Sequence, residues 1–328
     1  MSEATALGAA TTPVLSRQRL GLAALWLVLI LVPFWVPFVG GYTQLAGRAL
    51  VLGLAAMALN FLLGFTGVMS FGHAAWFGLG AYGTGLMLRY VTSSTLLATA
   101  AGVLLGGVLG TLLGRLLVRR RGVYFAMITI AFGQIFFYIA YRWNSLTGGD
   151  DGLRGFQRQP IGFGRLLLDI QGNDIALYYY LLFVFAICVG LMGLLLGSPF
   201  GRTLIAIREN ERRARFLGID VERQIWLSFS LSCFFCSAAG ALYALLNNFA
   251  DPMTLHYTLS GEIVIMAVMG GMRSFWGPLL GAAVFVVLQD YVSSMTVNWM
   301  SFIGLLFVLV VLFAPRGLLG VLQRETPR

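Results

Sequence analysis

Apolar runs about 20 residues long, the length needed to cross the hydrocarbon core of a bilayer, follow one another along most of the chain. They fall at 20–39, 46–64, 67–90 (interrupted by glycines), 96–117, 122–141, 176–197, 225–248, 261–292 and 299–314. Polar residues gather in short stretches between them, and arginines cluster at 17–19, 115–121, 202–223 and 316–328. If every cluster faces the cytoplasm, as the positive-inside rule requires, the runs between successive clusters must be even in number. Four lie between the first and second clusters and two between the second and third. The parity predicts an outward-facing loop at 142–175 and an inward-facing segment at 198–223.

The last stretch admits two counts. Between Arg223 and the basic tail stand 225–248, 261–292 and 299–314, and a run as long as 261–292 exceeds one ordinary span. Splitting it at GGMRSFWGP gives four crossings and a cytoplasmic C-terminus; leaving it whole gives nine spans and a C-terminus outside. The fold class expected is therefore all-α, a polytopic transmembrane bundle of about 9–10 spans with two broken helices.

Composition narrows the class of function. Hydrophobic residues make up 59% of the 328 residues and charged ones 11%, against roughly a quarter charged in soluble domains. One membrane domain at 17–316 is expected, with cytoplasmic tails at 1–16 (disordered) and 317–328, and with the bilayer as its solvent. The net charge of +9 comes from arginine alone, since the chain has no lysine. That excludes a Walker A phosphate loop and Schiff-base chemistry. In so apolar a chain the positive charge sets topology and is no nucleic-acid footprint. Cys188, Cys233 and Cys236 lie inside apolar runs, and the Cys-x-x-Cys pair has no second pair or His cluster beside it; small packing residues and no metal site are expected. No nucleophile–base or metal constellation marks an enzyme.

Two glycine-broken segments resemble each other, SFGHAAWFGLGAY (70–82) and SFWGPLLGAAVF (274–285). Interrupted helices at corresponding places in two halves point to a transporter whose pathway runs at the repeat interface. Ser70, His73 and Ser274 belong to these segments, and Asn60 and Gln134 are polar residues inside spans. All five are pathway candidates. For His73 the other reading is a residue that satisfies a backbone carbonyl freed by the helix break; Asn60 and Gln134 equally suit bonds between helices. Arg273 fits a turn between two half-spans, and Glu262 and Asp290 lie near the ends of the broken run.

The segment 198–223 carries six arginines and four acids. Ser198-Pro199 suits a helix start, Glu209/Arg213 and Glu211/Arg215 have i,i+4 spacing, and Leu204, Ile207, Ala214 and Gly218 fall on one helical face. A docking helix for a soluble partner is expected, with a solvated, topology-setting loop as the plainer alternative.

This segment resembles the cytoplasmic coupling motif of ABC importer permeases. The signature reads ERRARFLGI here, with Glu211, Ala214 and Gly218 in register and Arg213 where Ala is usual. GFTGVMSFGHAAWFGLGAY, RRRGVYFAMITIAFGQIF, NSLTGGDDGL, GRTLIAIRENERRARFLGI, AGALYA and GGMRSFWGPLLGA resemble, in order, the blocks of LivM-type permeases of branched-chain amino acid importers, across 64–282. The resemblance implies a bacterial inner-membrane subunit paired with a LivH-like permease. It also implies two cytoplasmic ATPases, which hold the ATP and magnesium, and a periplasmic substrate-binding protein. This chain would hold no cofactor and hydrolyse nothing. Arg202, Leu204, Ile207, Arg208, Glu211, Ala214 and Gly218 would meet an ATPase. Asp150, Asp151, Arg154 and Arg158 would meet the binding protein, although a solvated turn explains that loop as well. Leucine, isoleucine and valine are the implied substrates, with urea, short amides and aromatic acids as alternatives in the same family. The contrasting class is an ion-coupled secondary carrier, which needs intramembrane carboxylates; no acid here sits clearly within a span.

Overall fold

The computed structural model describes residues 12–36, 40–163, 166–168, 170–296, 298–313 and 317–322. Five helices open the chain, α1 (Thr12–Trp35), α2 (Thr43–Thr66), α3 (His73–Tyr90), α4 (Thr95–Leu117) and α5 (Val123–Arg142). A loop follows with the short α6 (Asn144–Thr147) and a hairpin of β1 (Ile161–Phe163) against antiparallel β2 (Leu166–Leu168). The second half comprises α7 (Asp174–Gly197), α8 (Pro199–Glu209), α9 (Glu211–Phe216), α10 (Val221–Asn247), α11 (Tyr257–Gly270), α12 (Gly277–Met295), α13 (Trp299–Phe313) and α14 (Gly317–Leu322). Six of these, α2, α4, α5, α7, α10 and α12, are long and apolar enough to cross a membrane, with shorter apolar helices at Gly21–Trp35, Tyr257–Gly270 and Trp299–Val310. Together with α3 they account for every apolar run expected from the sequence.

The two glycine-broken segments each begin in non-helical chain, the first at the connection between α2 and an α3 that then runs unbroken instead of being interrupted by its glycines, the second inside the run 261–292. At the first, α2 stops where Gly67 takes the left-handed conformation (φ 80°) and its N–H closes onto Leu62 and Leu63 carbonyls, as a glycine C-cap does. The chain resumes helix only at His73. At the second, α11 ends at Gly270 and α12 begins at Gly277, its Pro278 suited to the first turn. The run 261–292 is thus two helices. Residues 12–16, expected in a tail, are the start of α1, and 317–322 form α14; residues 1–11 and 323–328 lie outside the described residues.

Contacts between loops define two faces. On one, Gly67 packs on Arg208, Gly317 on Gly271, and Arg121 reaches Glu211. The segments 115–121 and 198–223 and the second break therefore share a face. On the other, Arg89 Nη1 donates to Arg154 O, Thr95 Oγ1 donates to Gln159 O, Leu153 bridges Ala250, and Tyr42 Oη donates to Asp290. This is the arrangement that the arginine parity requires.

Helices α2 and α10 form the centre, each 83% buried over its most apolar window, whereas α4, α5, α7 and α12 lie at 33–39% and present apolar side chains outward. Small residues let α3, α4 and α10 touch backbone to backbone. A methyl at Gly240 would overlap the Phe77 carbonyl, and one at Gly80 the Ser237 carbonyl. Without a hydrophobic force between helices in lipid, such close contact supplies the attraction. Helix α1 shows the companion rule, that backbone groups at membrane depth must be satisfied within the protein. Pro33 has no N–H for the carbonyl four residues back, and Tyr178 Oη donates to that Leu29 oxygen at 2.8 Å.

Candidate functional site

The segment 198–223 is a helix pair rather than one helix. Asn210 leaves helical geometry (φ −158°, ψ 99°) and its side chain caps α9 by accepting from Arg213 N at 2.9 Å. The break separates Glu209 from Arg213, and no ion pair joins them among the described residues. Glu211 does pair with Arg215 Nη2 at 2.7 Å, and also with Arg121 Nε at 3.4 Å, which ties α9 to the turn between α4 and α5.

The apolar stripe points into the bundle. Leu204, Ile207 and Ala214 are buried in the same core as α2 and α10. Arg208 donates through Nη1 to the Gly64 carbonyl in the last turn of α2, a carbonyl end where a cation is favoured. Burial first, then the Arg273 charge, holds the Arg208 pKa below its ordinary value, with Glu209 opposing. Five of the seven expected coupling residues, Leu204, Ile207, Ala214, Arg208 and Glu211, thus contact this chain's own body. Arg202 and Gly218 are exposed. The large apolar residues that face outward were not singled out from the sequence: Phe216 is 91% exposed and Leu217 74%, beside exposed Arg212, Arg213 and Arg215. The available signal was two adjacent large apolar residues just before Gly218, which takes φ +81°.

The five pathway candidates fall into two pairs and a single residue. Ser70 and His73 meet at the first break, where all ring contacts are buried. Ser232 Oγ donates to the α2 carbonyl of Ala58 at 2.5 Å, so its remaining capacity is to accept. His73 Nε2–H then donates to Ser232 Oγ (2.7 Å), and Nδ1 accepts from Ser70 Oγ (3.1 Å); a neutral imidazole satisfies the whole chain of bonds. Ser260 Oγ accepts from Ala74 N at 2.8 Å, bringing α11 to the same point. Asn60 and Ser274 meet at the second break, Asn60 Nδ2 donating to Ser274 O at 3.0 Å. Asn60 Oδ1 has no partner among the described residues, and neither does Gln134 Nε2, which stands apart on α5. Asn60 and Gly64 are one turn apart on α2, so this helix joins the second break to Arg208 of α8.

On the opposite face Asp150, Asp151 and Arg154 are exposed, with the Arg154 guanidinium 5.2 Å from the Phe249 ring centre. Arg158 is buried, 3.9 Å from Asp174. Burial lowers its pKa and Asp174 opposes. Near the same face Arg48 Nη2 donates to Gln289 Oε1 at 3.1 Å, a tie between α2 and α12 that the sequence reading did not single out.

A sequence profile described as "Branched-chain amino acid transport system / permease component" matches residues 41–311, a span that holds both breaks, the helix pair and the polar network. The chain is 27% identical to the high-affinity branched-chain amino acid transport system permease protein LivM of Escherichia coli K12, over 94% of this chain and 76% of that one. It is 24% identical to the probable branched-chain amino acid transport permease protein LivH of Methanocaldococcus jannaschii, over 85% of this chain and 91% of that one. No solved structure matches it. A profile that runs from the start of α2 into α13 takes in nearly the whole helical bundle, and on that match the chain belongs to the permease-component family of branched-chain amino acid transport systems.

Proposed function

We propose that this chain is one of two permease subunits of an ATP-driven importer for leucine, isoleucine and valine, with a LivH-like subunit as its partner. The face carrying 115–121, 198–223 and Arg273 is cytoplasmic, in a bacterial inner membrane, and both termini lie on that side. The carrying observation is the α8–α9 pair, fixed to α2 and to the α4–α5 turn, yet presenting Phe216, Leu217 and three arginines outward. A rigidly mounted element with exposed apolar residues is a handle for a soluble partner. Two cytoplasmic ATPases holding ATP and magnesium are that partner, and their closure moves the handle and switches access between two global states. The chain itself performs no hydrolysis. Exposed Asp150, Asp151 and Arg154 serve a periplasmic binding protein, and Arg158 supports their loop from beneath. His73, with Ser70, holds the first break in place, while Asn60, Ser274 and Gln134 are the polar groups nearest a path.

The test is uptake in proteoliposomes. The complete set of two permeases, ATPases and binding protein transports leucine only with ATP. Uptake by this chain alone under an ion gradient overturns the reading in favour of a secondary carrier. A thermal-shift screen of the binding protein with leucine, isoleucine, valine and urea settles the substrate: a shift with urea alone removes the branched-chain assignment while leaving the importer standing.

A further inference from the structure

We propose that the arginine-lined cavity where α4 meets α10 binds the headgroup of a net-negative phospholipid, whose acyl chains lie along the outer face of α4. The cavity, about 380 Å³, is lined by Arg115 in the last turn of α4 and Arg119 in the turn after it, and by Asp220, Glu222, Arg223 and Trp226 from the start of α10. Its floor is closed because Gly114 leaves room for Phe229 and Trp226 against α4, and Trp226 Nε1 donates to Thr111 O at 2.8 Å. Asp220 is already engaged as the α10 cap, its Oδ1 accepting from Arg223 N at 3.1 Å. No guanidinium of the three is in an ion pair among the described residues. Three cations facing Glu222 and a capping carboxylate leave an excess of positive charge, and guanidinium groups match phosphate oxygens in fork geometry.

The outer face of α4 selects lipid over a free anion. Leu104, Val108, Leu112 and Leu116 are exposed, and i,i+3 or i,i+4 spacing puts Val108, Leu112 and Arg115 in one line along the helix, with Arg119 in the turn just beyond its end. An apolar stripe about one leaflet long that ends in two arginines and a tryptophan has the order of a phospholipid: tails, then interface, then phosphate. A soluble phosphate uses only the cavity and leaves the stripe uncovered.

The permease pair, purified in neutral detergent, is titrated with phosphatidylglycerol, phosphatidylcholine, phosphatidylethanolamine or inorganic phosphate. Melting temperature and lipid adducts in native mass spectrometry are read together. Phosphatidylglycerol raises the melting temperature and stays bound. The combined Arg115→Gln, Arg119→Gln and Arg223→Gln variant binds it roughly 100-fold more weakly, about fivefold for each cation lost near the membrane surface. Arg119→Gln alone gives a partial loss and covers the case in which the triple variant fails to fold. Arg120→Gln with Arg212→Gln, which removes charge from the same face outside the cavity, retains binding. Equal shifts from the zwitterionic lipids, a full shift from inorganic phosphate alone, or unchanged phosphatidylglycerol binding by Arg119→Gln and the triple variant each overturn the proposal.

Discussion

Phe216→Ala and Ile207→Ala separate the surface that docks from the surface that anchors. Phe216 is 91% exposed and Ile207 only 4%. Burying an aromatic or aliphatic side chain of this size contributes about 1.5–3 kcal/mol. If an ATPase covers Phe216, its truncation to Ala loses about 2 kcal/mol of association, or about 30-fold in Kd. The bundle has no part in that loss, and the melting temperature of the permease stays unchanged. Ile207→Ala removes core contacts instead and costs about 2–5 kcal/mol of stability. Its ATPase affinity falls only as far as α8 comes loose. The assay pairs ATPase titration onto immobilised permease with thermal unfolding of the same preparations. Wild-type affinity in Phe216→Ala, together with loss of affinity at unchanged melting temperature in Ile207→Ala, refutes the assignment and makes the buried stripe the dock.

Five further substitutions test the bundle, each by thermal unfolding of the purified chain. Gly240→Ala places a methyl on the Phe77 carbonyl, where backbone cannot yield, and lowers stability by about 1–3 kcal/mol; Gly190→Ala, with nothing within 4 Å, leaves it unchanged or raised. Ser232→Ala strands the His73 Nε2–H and costs about 1–3 kcal/mol, so an unaltered melting temperature contradicts the buried tie. Tyr178→Phe deprives Leu29 O of its donor at a cost of about 1–2 kcal/mol. Pro33→Ala restores the helical N–H, and the Tyr178→Phe penalty shrinks in that background; additive losses exclude the coupling.

Span positions and breaks were legible because they rest on length and on residue chemistry local to the chain. A run of apolar residues at 261–292 cannot cross once, and Gly-Gly-Met-Arg-Ser is where it yields. The break between α8 and α9 was less legible, since the i,i+4 charge pattern runs across Asn210 without a gap. The cap-forming residue type at that position was the signal. Partners distant in sequence were not legible at all. The partner of the His73 Nε2, the Ser232 hydroxyl rather than a backbone carbonyl, lies 159 residues away, and Arg158, expected on the outward surface, is buried.

The apolar stripe of 198–223 shows why periodicity stops short of function here. A stripe at helical spacing marks the face that leaves water, and the covering surface can be a partner or the same chain. Here the bundle offers the ends of α2 and α10 within reach, so Leu204, Ile207 and Ala214 are consumed in mounting the element. A surface meant for another protein must keep apolar residues that its own fold leaves uncovered. The dock proposed here uses Phe216 and Leu217, which follow the last buried residue of the stripe, Ala214, at the C-terminal turn of α9. Their position past the buried part of the stripe leaves one short segment held by the membrane domain with an exposed apolar tip.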